Sequence, residues 1–177
     1  MKKAIVTICL LIAACYIINN CNRYVPEEYI VISQQIRADV ATTLTKRYPM
    51  RIIGITGGLA NSVNILGLSF QIKGPLSKER LREIIVDCVE EFLTPINANE
   101  RLRPFLKNYP FTANEIEIEI YIVDETGRRL YDPEIMFAGE SNGTLRYRTV
   151  DINDKLGFKS YFEEDYETAH KLVQGLK

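Results

Sequence analysis

The chain contains no tryptophan and a single histidine, His170. One imidazole near the C-terminus leaves no Ser-His-Asp, Cys-His or paired-histidine set to assemble. The four cysteines, Cys9, Cys15, Cys21 and Cys88, are not spaced as zinc ligands or as a disulfide framework. An excess of basic charge is also missing: Lys and Arg number 22 against 23 Asp and Glu, a formal net charge of −1. Nucleic-acid binding rests on neutralising phosphates, so a mildly acidic chain without a basic cluster argues against that partner. There is no internal repeat and no low-complexity tract. Gly54-Ile55-Thr56-Gly57-Gly58 lacks the Gly-Lys-Ser/Thr ending of a phosphate loop and reads as a turn, so no cofactor is expected.

What is present suits one globular domain. The 177 residues are 46% hydrophobic and 25% charged, with ten Tyr and seven Phe to fill a core. Chains of roughly 100–200 residues usually build a single core.

The N-terminus carries the strongest signal. Met1-Lys2-Lys3 is a positive start, Ala4 to Ala14 is apolar apart from Thr7, and the small residues Ala13 and Ala14 precede Cys15. This is the order of a secretory signal peptide: charge, apolar run, small-residue cleavage site. The apolar stretch continues to Ile18, fifteen residues from Ala4, whereas a spanning helix needs about 20. Leu11-Ile12-Ala13-Ala14-Cys15 resembles the lipobox of bacterial lipoproteins. The resemblance implies a diacylglycerol thioether on Cys15, cleavage before it and acylation of the new amino group. It also implies a place in the bacterial cell envelope, and the absence of Asp after Cys15 favours the periplasmic side of the outer membrane. Residues 1–14 are then the signal peptide, 15–25 a lipid-anchored tether and 26–177 the domain. Loss of Lys2 and Lys3 leaves 20 basic and 23 acidic residues, a net charge of −3. The tether holds the domain within about 40 Å of the lipid, at roughly 3.3–3.6 Å per extended residue.

Along the domain, Ile32, Ile36, Val40 and Leu44 recur every four residues and predict an amphipathic helix over 26–47, opened by Pro26 and stopped by Pro49. Arg51 to Thr56 and Val63 to Lys73 read as a hairpin joined by a turn that opens at Gly57-Gly58. Ser77 caps a helix whose stripe is Leu81, Ile84, Ile85, Cys88, Val89 and Phe92, ended by Thr94-Pro95. Asn97 to Glu100 has the form of a capping box for a short helix limited by Pro104. Glu115 to Asp124 alternates cleanly, with Ile116, Ile118, Ile120 and Ile122 on one face. A strand over 129–139, interrupted near Asp132-Pro133, leads to the hairpin signal Asn142-Gly143 and a strand through Leu145, Tyr147 and Thr149. Ser160 with Glu163 forms a capping box for a last helix marked by Phe162, Tyr166, Ala169 and Val173. The order αββα(α)βββα defines an α+β two-layer sandwich, a mainly antiparallel sheet of about five strands with helices on one face.

Few side chains stand out as candidates for chemistry. Cys88 lies on an apolar stripe and is expected to pack as a small hydrophobe, and His170 to serve near a helix end. Cys21, in the tether, is open to pairing. Asp151, Asn153 and Asp154 lack calcium-loop spacing and suit Asx turns. Tyr161, Phe162 and Tyr166 beside Glu163, Glu164 and Asp165 read as an acid-rich first helical turn. Glu115, Glu117 and Glu119 form a carboxylate row opposed by Arg146 and Arg148 on a nearby strand, a charged sheet face. Glu117, Glu119, Tyr121, Arg146 and Arg148 are the expected binding surface. No catalytic or metal-ligating set is assigned.

The function expected is a membrane-anchored envelope lipoprotein, held by lipid on Cys15, that binds or supports another envelope component without catalysis. The alternatives are a small hydrolase using carboxylates and tyrosines in a cleft, and a carrier with an apolar slot for a small ligand.

Overall fold

The computed structural model describes residues 27–154 and 157–175. The signal peptide, Cys15 and the tether lie outside the described residues. Helix α1 (Glu28–Arg47) leads into a hairpin of β1 (Met50–Gly58) and β2 (Ile65–Lys73). Helix α2 (Lys78–Ala98) carries the chain across to β3 (Ile116–Val123), which lies parallel to β2. A tight hairpin cannot join parallel strands, so residues 74–115 serve as the crossover. Strands β4 (Phe137–Ser141), β5 (Thr144–Val150) and β6 (Phe158–Asp165) follow as an antiparallel meander, and α3 (Tyr166–Gln174) ends the fold. Spatial order in the six-stranded sheet equals chain order. Among the described residues no helix is long and apolar enough to cross a membrane.

The alternation read in the sequence sets the layers. Leu68, Ile118 and Leu145 fall in one row across the sheet, and Phe70, Ile120, Ala138 and Tyr147 in the next. All are buried, and they meet the α2 stripe from Leu81 to Phe92 in one core. α1 packs over β1 and β2, α2 over β3 and β4, and α3 over β5 and β6. Among the described residues, all three α-helices therefore cover the same sheet face. Each buried Leu, Ile or Phe contributes about 1.5–3 kcal/mol of transfer free energy to holding the layers together. A bidentate pair of Arg82 (α2) with Glu164 (β6), both contacts 2.9 Å, fastens the far end, and Tyr147 donates to the same carboxylate at 2.5 Å.

Several local signals resolve differently in the fold. Phe158 to Asp165 is a strand, one more than the sequence suggests, and α3 starts only at Tyr166 with Asp165 as its cap. Ser160 is not a cap: its N–H donates to Thr149 on β5. Pro95 lies inside α2 rather than ending it. Its lost hydrogen bond is tolerated because Phe92 and Ile96, on either side, are fully buried. Asn97 starts no helix. It clamps the Phe111 backbone through both its amide nitrogen and its oxygen, and Pro104 sits within a short 3-10 turn, Arg103–Phe105. The Gly54–Gly58 segment is not a turn but the end of β1. Glu115 leaves the expected carboxylate row. It is buried in a capping box with Thr112 and accepts from Asn108 at 2.7 Å. The interrupted strand shrinks to Phe137–Ser141. Asn142 and Gly143 both take positive φ, 59° and 74°, as a two-residue hairpin turn of the primed type requires.

Candidate functional site

The sheet face turned away from the helices carries the candidate site. Pairing register places its side chains in rows that cross the strands. Gly67, Glu117 and Ser141 form one row. Ser69, Glu119, Gly139, Arg146 and Glu163 form the next. Gln71, Tyr121, Phe137, Arg148 and Tyr161 form the third. The second row spans roughly 19 Å, at about 4.8 Å per strand. All five residues of the expected binding surface, Glu117, Glu119, Tyr121, Arg146 and Arg148, thus come together on one face. The rows also add Phe137, Tyr161 and Glu163, and the irregularity after Arg148 brings Phe158 beside them, four residues the sequence reading did not assign to the site. Period-two alternation was the signal available for Tyr161 and Glu163, whereas Phe158 has the opposite parity and joins them only through the register shift between Arg148 and Val150.

Two clefts run across this face. One of about 230 Å³ is lined by Glu117, Glu119, Gly139, Ser141, Arg146 and Arg148, with Phe137 at its side. The other, about 280 Å³, shares Glu119, Phe137 and Arg148 and extends to Tyr121 and Phe158. Gly139 keeps the floor free of a side chain. A β-carbon there would lie 2.6 Å from the Ile118 carbonyl oxygen and 3.0 Å from the Phe137 ring, so only glycine lets that ring lie over the strand.

The charges are divided unevenly. Arg146 donates to Glu163 at 2.9 Å and to the Ser141 carbonyl at 3.1 Å, and Tyr161 donates to the same Glu163. The Tyr161 hydroxyl and then Arg146 hold the Glu163 carboxyl below its ordinary value. Ser69 donates to Glu119 at 2.7 Å. Burial, and next the charge of Glu119, push the Tyr121 phenol up. Arg148 is left to the rings. Its guanidinium carbon lies 4.5 Å from the centre of Phe158 and 5.2 Å from those of Phe137 and Tyr161. Among the described residues its buried Nε has no hydrogen-bond partner. An arginine held by π faces keeps donors available for an incoming acceptor.

The remaining candidates behave as structural parts. Cys88 is fully buried, and burial pushes its thiol up, away from thiolate chemistry. His170 stacks on Tyr166 and lies 3.6 Å from Glu90 on the helical side. Asp151 and Asp154 accept from the N–H groups of Asn153 and Gly157, as Asx turns do. No protein-family model, no curated protein and no solved structure matches this chain.

Proposed function

We propose that the protein is a lipid-anchored envelope module that binds a protein partner through the open face of its sheet, without catalysis. The observation that carries this reading is the uncovered face itself. Among the described residues every helix packs on the opposite side, and the side they leave open concentrates four aromatic rings, two arginines and a carboxylate row. Aromatic residues and arginine dominate the energetics of protein interfaces, because each buries much area while offering directional hydrogen bonds. Mixed charge at fixed register selects the partner and its orientation more than it adds affinity.

The anchoring half of the proposal rests on the lipobox resemblance at Leu11–Cys15. Two or more acyl chains hold a protein stably, each buried methylene adding about 0.8 kcal/mol. The hydrolase alternative draws on Glu117 and Glu119, which line one cleft. Glu119 is bound by Ser69, and a cleft open to solvent excludes little water, so binding fits the geometry better.

Metabolic labelling with a clickable fatty acid tests the anchor. Wild type is expected to carry label and to sediment with membranes, and Cys15→Ala to lose both together. Full labelling of Cys15→Ala contradicts the anchor. Crosslinking of envelopes followed by purification of the tagged chain tests the partner, and recovery of no envelope protein contradicts the docking role.

A further inference from the structure

Beside Ile36 and Val40, helix α1 presents a stripe toward the sheet edge whose inner member, Ala41, also belongs to the core. Arg37, Ala38 and Ala41 face the edge strand β1. A bulge between Ile52 and Gly54 turns both Ile52 and Ile55 toward the helix layer, opposite Phe70 and Leu68. These side chains wall an open groove of about 300 Å³ floored by Leu68. Ile52 and Ile55 remain 45% and 67% exposed, so the groove holds apolar surface in contact with water.

Arg37 gives the groove its charge. It is only 8% exposed, yet among the described residues it has no ion-pair partner, and its Nε is buried without a hydrogen bond. Its terminal nitrogen lies beside Gly57, where a β-carbon would come within 3.2 Å of it. Gly57 has φ of 135°, a conformation that suits glycine and keeps this approach open. A buried cation without a partner is costly, and the cost is relieved when an anion reaches it.

We propose that this groove binds a medium-chain alkyl carboxylate, its head group on Arg37 and its chain along Ile52, Ile55 and Leu68. The guanidinium fork matches a carboxylate in two parallel hydrogen bonds. Among the described residues Arg37 is the single charged side chain lining the groove, and Gln34 is the other polar one, so a monoanion is neutralised and a dianion is not. The volume holds about ten heavy atoms at roughly 30 Å³ each, the size of octanoate. The groove lies on the helix side of the sheet, so this site stands or falls separately from the docking face.

The test uses the full-length protein in phosphatidylcholine vesicles, photolabelled with an octanoate that carries a diazirine, and maps the adducts by mass spectrometry. Adducts are expected within 34–41 and 52–68, displaced by octanoate and not by octanol. Arg37→Met keeps the packing, and removal of an unpaired buried charge is expected to raise the melting temperature. Its adduct yield is expected to fall at least about tenfold, a loss that misfolding then does not explain. Ile55→Glu, which sets a like charge in the groove, is expected to lower the yield as well. Equal displacement by octanol, undiminished labelling of Arg37→Met, or adducts confined to other segments overturns the proposal. So does octyl phosphate displacing the label better than octanoate, since that assigns a different head group.

Discussion

Glu140 faces the core from the middle of β4, directly behind the open face. It is 1% exposed, with one carboxylate oxygen accepting from the Gly143 N–H at 2.7 Å and the other without a hydrogen-bond partner among the described residues. Burial is the chief cause that pushes its carboxyl up to about 8. A folded value above the unfolded value of about 4.3 means that the folded state holds the proton more tightly. The contribution of Glu140 to stability is therefore full below about 4.3 and is lost as the pH rises through about 8. Glu140→Gln is expected to stabilise the protein above about pH 8, by on the order of 1–3 kcal/mol. Near pH 4 the advantage is expected to vanish, and thermal melts of both proteins across this range check it. Equal pH dependence of the two melts contradicts the assignment. Glu140 was invisible in the sequence as a core residue, because it breaks the apolar alternation of its own strand. Its burial follows from register, Ile118 on one side and Leu145 on the other.

At the scale of elements, the clearest lesson lies in the segment from Phe158 to Tyr166. Ser160 and Glu163 have the spacing of a capping box, and a local reading starts a helix there. The fold instead pairs Tyr161 with Arg148 and Glu163 with Arg146, and delays the helix to Asp165, whose side chain accepts from the Thr168 N–H at 3.0 Å. Strand pairing across five residues outweighs one cap, and pairing partners are distant in sequence. Asp165→Ala is expected to cost about 1 kcal/mol and Ser160→Ala less than about 0.5 kcal/mol, as urea titrations measure. A helix capped at Ser160 reverses that order. Elements with strong periodicity were legible from the start. The Ile116–Ile122 alternation, the Ser77 cap and the Asn142-Gly143 turn all appear in the fold. The parallel pairing of β2 with β3 was not legible, because it depends on where the α2 crossover returns the chain.

The whole molecule has two unlike sides. Helices bury one face of the sheet, and the other presents rows of side chains whose composition resembles that of an interface core with its polar rim. The five surface residues read from alternation and charge fall together because a single meander carries them. Tyr161 and Glu163 were missed because their segment was read as the start of a helix, while Phe137 and Phe158 lay outside any helix reading and were simply not assigned to the face. Photocrosslinking in cells tests the docking face most directly. A benzophenone amino acid is placed at Tyr121 and Tyr161 on the open face, and at Val31 and Leu172 on exposed helix positions. Adducts with an envelope protein from the first pair alone are the predicted result. Adducts from the helix positions, with none from Tyr121 or Tyr161, contradict the claim that the sheet is the face the partner meets.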